Sequence, residues 1–233
     1  MSAVDDARSA LCTMLATGEL APGQRLPGEI ELSDRFGLSR SSLREAQKML
    51  VAVGVLESQP GGRLTVSDLS APKLMTGLSM VVPLLPLERL LELFPLRQVL
   101  ESHVTAQATV RMSDEELRQL SSLAEEVAAL SVNDPSFEER DQEFHLRIIE
   151  AAGDPMIAAL LGAIHHRGAD YHLLVHGEFK QLSDAAHRRI AKAMSERDPV
   201  LASALMTAHI QDSLEWLTHL HPLPDPRRGA RPH

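Results

Sequence analysis

The chain has 233 residues, 44% hydrophobic and 24% charged, a composition that allows one or two packed cores and lacks the signature of a disordered chain. Its formal charge of −9 repels polyanions as a whole, so contact with nucleic acid has to come from a local patch. Only Phe36 and Phe94 among the aromatic residues lie in the first hundred positions, too few for a base-stacking platform, which argues against single-strand binding.

A single cysteine, Cys12, and a start without a signal-peptide pattern point to a reducing cytoplasm. The most apolar window, Leu78 to Leu87, is broken by Pro83 and Pro86 and falls far short of the ~20 residues of a membrane span.

From the N-terminus, Ala7, Leu11, Met14 and Leu15 mark one face of a helix that Gly18 stops. A second short helix, about 28–36, is expected to bury Ile30, Leu32 and Phe36, with Gly37 as its C-cap. Ser39 then caps a helix over 40–53 with Leu43, Ala46, Met49, Leu50 and Val53 inward. The runs 55–59 and 64–67 around Pro60, Gly61, Gly62 and Arg63 predict a hairpin.

Residues 69–86 are poorly periodic and proline-rich, a linker with at most one short helix. Beyond it the patterns predict helices over 87–111, 114–131, 135–152, 155–177, 184–196 and 199–220, with Pro95 marking a kink or a new start. Ser113 with Glu116, and Ser136 with Glu139, match capping boxes; Asp134-Pro135, Asp154-Pro155 and Asp198-Pro199 are further helix starts. The expected architecture is mainly α: a winged helix-turn-helix in 1–68, a linker in 69–86, an antiparallel helix bundle in 87–220 and a loose tail in 221–233.

Helix, turn, helix and hairpin is the plan of a winged DNA reader whose later helix enters the major groove. Ser39, Arg40, Ser41, Ser42 and Arg44 cluster at that helix's N-terminus, where hydroxyls, guanidinium forks and a positive dipole end serve phosphates and guanine edges. The wing glycines allow close backbone approach, with Arg63 as a probe. Leu26-Pro27-x-Glu29, Phe36-Gly37-Leu38-Ser39-Arg40-Ser41-Ser42-Leu43-Arg44-Glu45-Ala46, Gly54-Val55-Leu56 and the Gly61-Gly62 wing resemble the GntR family of bacterial transcription regulators. The resemblance implies that Arg40, Ser41, Ser42, Arg44 and Gly61 touch the operator. The chain departs from the family at Ile30, where many members carry an arginine that touches DNA.

The second constellation lies among the histidines, all eleven of which fall at or after His103. Asp141 and His145 are four apart on one predicted helix face. His187 and His209 are equidistant from the Asp198 turn, so a helical hairpin opposes them. Three imidazoles and a carboxylate suit zinc or another divalent metal such as nickel, manganese or iron. His103, His172, His176, His219, His221 and His233 are taken as ordinary residues, and the roles of His165 and His166 stay open.

With Arg97-x-x-x-Glu101, Ala152-Gly153-Asp154-Pro155 and His187-x-x-Ile190-x-x-Ala193, this half is similar to the FCD domain of the FadR subgroup. That likeness implies Asp141, His145, His187 and His209 as metal ligands and Arg97 as a contact to a small organic or sugar acid. A structural Arg97–Glu101 pair is the equal alternative.

Together these readings describe a homodimeric transcription regulator, expected to be a repressor, that binds a pseudo-palindromic double-stranded operator and senses a small carboxylate effector at a metal site. The rival is a metal-dependent hydrolase with an N-terminal interaction domain and Glu143 or Glu150 as its base. It is disfavoured because Glu143 sits two residues from both Asp141 and His145, on another helix face, and no His-Glu-x-x-His occurs. A bundle that only dimerises is the third reading.

Overall fold

The computed structural model describes residues 2–165 and 177–220, with the backbone alone at 220. The chain divides into two compact units between Met80 and Val81, inside the expected linker. The fold is mainly α, a winged helix-turn-helix followed by a helix bundle. No helix among the described residues is long and apolar enough to cross a membrane.

In the first unit, α1 (Ala3–Ala16), α2 (Glu29–Phe36) and α3 (Arg40–Ala52) precede a hairpin of β1 (Leu56–Gln59) and β2 (Arg63–Val66). Ser2 and Asp5 form a capping box at α1, and Gly37 ends α2 in the left-handed conformation. Ala7, Leu11, Met14, Leu32, Leu43, Ala46, Leu50, Leu56 and Val66 build the core. Ile30, Met49 and Val53 do not join it and are exposed. The buried stripe of α3 runs instead through Ser42, Leu43, Ala46, Gln47 and Leu50, with Met49 just beyond its edge and Val53 at the C-cap, past the end of the helix.

The hairpin pairs Leu56 with Val66 and Gln59 with Arg63. Arg63 therefore opens β2, and the turn shrinks to Pro60, Gly61 and Gly62, both glycines at positive φ (86° and 75°) that L side chains rarely adopt. The predicted linker holds more structure than expected: α4 (Ala71–Leu74), α5 (Thr76–Val81) and a 3-10 turn at Val82–Leu84, cut short by the prolines. Gly54 is required there, since a Cβ on it would lie 1.9 Å from the Lys73 carbonyl oxygen.

The second unit comprises α6 (Leu87–Leu91), α7 (Phe94–Arg111), α8 (Asp114–Ala129), α9 (Phe137–Ala151), α10 (Pro155–Ile164), α11 (Gly177–Ser195) and α12 (Pro199–Leu220). Pro95 starts a new helix, as one of the two expectations had it. Ser113–Glu116 is a capping box, and Asp154 and Asp198 accept first-turn N–H groups. Ser136 does not cap: it adopts helical angles while Asp134 Oδ1 accepts from its N–H at 2.9 Å and its hydroxyl at 2.6 Å.

The helix expected over 184–196 is already formed at Gly177, where the described residues resume. The second part of the helix expected over 155–177, with His166, His172 and His176, lies outside the described residues, as does the tail with His221 and His233. Between α11 and α12 only Glu196 to Asp198 intervene, with Arg197 at φ 58°. Its guanidinium caps α7 through the Thr109 and Met112 carbonyls, at 2.9 and 2.6 Å. This tight reversal is what opposes the two long helices.

Candidate functional site

Each unit holds one candidate site. At the start of α3, Ser39 Oγ accepts the Ser42 N–H at 3.1 Å and lies 2.9 Å from Ser41 Oγ and 2.8 Å from Ser42 Oγ. Ser42 is buried with its hydroxyl engaged in this cap, whereas Ser39, Arg40, Ser41 and Arg44 are exposed. Arg44 Nε donates to both carboxylate oxygens of Glu29, each at 2.8 Å. That hydrogen bond, with the charge of Arg44 behind it, holds the Glu29 carboxyl below its usual range. Gly61, Gly62 and Arg63 are exposed at the wing. Ile30, 58% exposed beside Glu29, offers no polar group. The face thus combines exposed guanidinium groups and hydroxyls with the positive end of a helix dipole, the chemistry of phosphate and base-edge contact.

In the second unit, α9 supplies Asp141 and His145, α11 supplies His187 and α12 supplies His209, all four buried. Ligand nitrogens of the three imidazoles lie within 4.8 Å of one another. His187 Nε2 and His209 Nε2 are 3.2 Å apart, and Asp141 Oδ1 is 3.8 Å from His187 Nδ1. Phe144 stacks on the His187 ring at 4.4 Å. Burial, followed by His187 and His145, pushes the His209 imidazole well below its usual pKa, so it is neutral at pH 7, the form a metal ligand needs.

His145 tests the fit of a metal. Its Nδ1 lies 3.0 Å from Glu101 Oε2, while its Nε2 is buried with no hydrogen-bond partner among the described residues. A bare buried ring nitrogen is costly. Set among two further imidazoles and a buried carboxylate, it fits a divalent cation, and a carboxylate on the opposite ring nitrogen is the usual support of a ligating histidine.

The sequence pairs Glu101 only with Arg97 and gives His165 no role. Arg97 Nε donates to Glu101 Oε1 at 2.8 Å, and Arg97 Nη2 is 2.9 Å from His165 Nε2. Burial alone would raise the Glu101 pKa, but Arg97, His165 and His145 outweigh it and hold the carboxyl well below its usual range. His165 falls to about 3, through burial first and Arg97 second, and is neutral. Glu101, His145 and His165 could also surround an ion, but the Arg97 guanidinium already supplies positive charge there, and His145 links this cluster to the first. No spacing rule links position 165 to 101, so only the fold reveals it.

A family model described as bacterial regulatory proteins, gntR family, matches residues 4–66, and one described as FCD domain matches residues 92–212. The HTH-type transcriptional regulator YcbG of Bacillus subtilis is 27% identical over 198 residues, covering 85% of this chain and 82% of the relative. The HTH-type transcriptional repressor NanR of Cronobacter sakazakii is 29% identical over 206 residues, covering 84% and 78%. The solved structure of Streptococcus agalactiae GntR is similar with a TM-score of 0.58 at 28% identity, over 91% of this chain and 99% of that one. The family and these relatives are DNA-binding transcription regulators, not enzymes, and the hydrolase alternative falls with that finding.

Proposed function

The chain belongs to the GntR family of bacterial regulatory proteins and carries an FCD domain, and from that premise we propose that it is a homodimeric, metal-containing repressor that senses a small organic or sugar acid. It acts in the cytoplasm on a pseudo-palindromic, double-stranded operator, each protomer reading one half-site. Residues 1–68 form the DNA-binding domain and 87–220 the sensing domain. The observation that carries the reading is the convergence of His145, His187 and His209 within 4.8 Å in the interior of the bundle, beside buried Asp141.

Asp141, His145, His187 and His209 would hold the ion, zinc as a common partner of imidazole and carboxylate donors, with nickel, manganese and iron as the other candidates. An octahedral ion would keep positions beyond these four ligands for an effector carboxylate, whereas a tetrahedral ion would be closed by them. Arg97 has Nε on Glu101 and Nη2 on His165, which leaves Nη1 to pair with that carboxylate. On the DNA side, Arg40, Ser41, Arg44, Gly61 and Arg63 make the contacts and Ser39 with Ser42 shapes the helix end. The effector changes operator affinity only as far as it binds the free and DNA-bound forms differently.

Metal analysis of the purified chain, then calorimetry with a panel of sugar acids and hydroxy acids, tests the reading. The expected result is stoichiometric metal, lost in His187→Ala and His209→Ala, and acid binding that disappears with it. Absence of both metal and acid binding would leave a bundle that only dimerises.

A further inference from the structure

Exposed Arg44 is not a free side chain: Glu29, the first residue of α2 and 15 positions earlier, takes its Nε–H on both carboxylate oxygens at 2.8 Å. We infer that Glu29 is a positioning residue that holds the Arg44 guanidinium ready to read a guanine in the operator half-site. The inference rests on the DNA-binding function proposed above and deepens it.

Three observations carry it. First, the Arg44 side chain is 62% exposed and Glu29 30% exposed, and an ion pair so placed adds little to stability. Second, a carboxylate on a face that meets phosphates works against binding. The dipole of α2 does not need it, because Glu31 also lies in the first turn. Neither fold stability nor general DNA affinity accounts for an acid here. Third, engagement through Nε leaves Nη1 and Nη2 as a fork, and a guanine edge asks for two coplanar donors at O6 and N7. An arginine fixed beforehand does not lose its rotamer freedom at the moment of binding. Ile30, next to Glu29 and exposed, supplies no donor that could share the task.

The position makes the carboxylate a device for specificity bought against affinity, and the two respond with opposite signs when it is removed. Duplexes with a randomised 24-base-pair centre are selected on the wild-type full chain. The recovered duplex and sheared genomic DNA are then titrated against wild type, Glu29→Ala, Glu29→Gln, Arg44→Ala, Arg40→Ala and the double variant Glu29→Ala/Arg44→Ala.

For Glu29→Ala the expected result is an affinity for the selected duplex lowered on the order of tenfold, with an unchanged or higher affinity for sheared DNA. The preference should collapse at one G·C pair per half-site, the same pair that Arg44→Ala relaxes. Glu29→Gln, which keeps one acceptor oxygen, falls between. The double variant loses no more discrimination than Arg44→Ala alone, while Arg40→Ala leaves the preference at that pair intact. Tighter or equal binding of the selected duplex by Glu29→Ala, with every base preference unchanged, overturns the inference and makes Glu29 a plain surface partner. Failure of the wild-type chain to enrich any duplex overturns the DNA-reading function itself, a distinguishable outcome.

Discussion

Glu101 engages buried partners through both oxygens: Arg97 on Oε1 and His145 on Oε2, with His165 Nε2 also 3.2 Å from Oε2 and 2.9 Å from Arg97 Nη2. Replacing it by alanine strands a buried guanidinium, which costs about 3–5 kcal/mol where a buried pair is broken from one side; a urea titration of the metal-free chain reads this directly. Loss of the support behind His145 is expected to weaken metal binding about 10–100-fold, measured by competition with a chromophoric chelator. Acid works on the same cluster. The His165 imidazole has a pKa of about 3 in the fold against about 6.5 unfolded. The unfolded chain therefore takes up a proton below pH 6.5 that the folded chain refuses, and stability falls as the pH drops from about 6.5 toward 3. His209 is depressed in the same direction, and Glu101, also depressed, adds its own loss below the ordinary carboxylate range. Urea midpoints of metal-free protein should hold level from pH 8 to about 6.5 and decline from there to pH 4. His165→Gln should reduce that slope by up to about 1.4 kcal/mol per pH unit.

Helix starts show how far local chemistry can be read and where it misleads. Ser113 and Ser136 look alike in sequence, each followed three residues on by a glutamate, yet only Ser113 caps. The nearer Asp134 carboxylate takes the Ser136 N–H that a capping box would give to Glu139, and holds the Ser136 hydroxyl as well, with Ser136 in helical angles rather than extended ones. Ser113→Ala should therefore cost about 1 kcal/mol and Ser136→Ala should stay within about 0.5 kcal/mol, with Asp134→Ala the costly change at that corner; thermal melts of the three variants decide. The helix-turn-helix was legible because its glycines, its Ser39 cap and its Leu43, Ala46 and Leu50 stripe all agree. The first turns of α11 were not, because two of the buried positions there are Lys180 and Asp184. Lys180 Nζ bonds Asp184 at 2.6 Å and the Val127 and Ala128 carbonyls at the end of α8. A charged pair buried by its partners erases the apolar periodicity that marks a helix. The buried cluster of Asp141, His145, His187 and His209 could be assembled from the spacing of Asp141 and His145 and the symmetry of His187 and His209 about Asp198, since both follow from helix geometry. Its support by Glu101 and His165 depends on packing between helices far apart in sequence.

Each of the two units has its own core, one around Leu11, Leu32 and Leu43 and the other around Leu120, Phe144 and Met206. Units with separate cores can unfold as separate transitions. A ligand that binds only the folded bundle then stabilises the bundle alone, by about 2.7 kcal/mol at a hundredfold excess over its dissociation constant. For a unit of this size that corresponds to roughly 5–10 °C in its midpoint. Scanning calorimetry should therefore show one transition that falls by about this amount when a chelator is added and recovers on return of zinc, while the other stays in place. His209→Ala should have the lowered transition from the outset and no response to the chelator. Added operator duplex should raise the transition that the chelator leaves alone, because the Ser39 to Arg44 helix end and the Gly61-Gly62 wing both belong to the first unit. A chelator that moves neither transition, in protein that binds no metal, would remove the metal from the bundle and leave the four buried side chains as a polar core of its own.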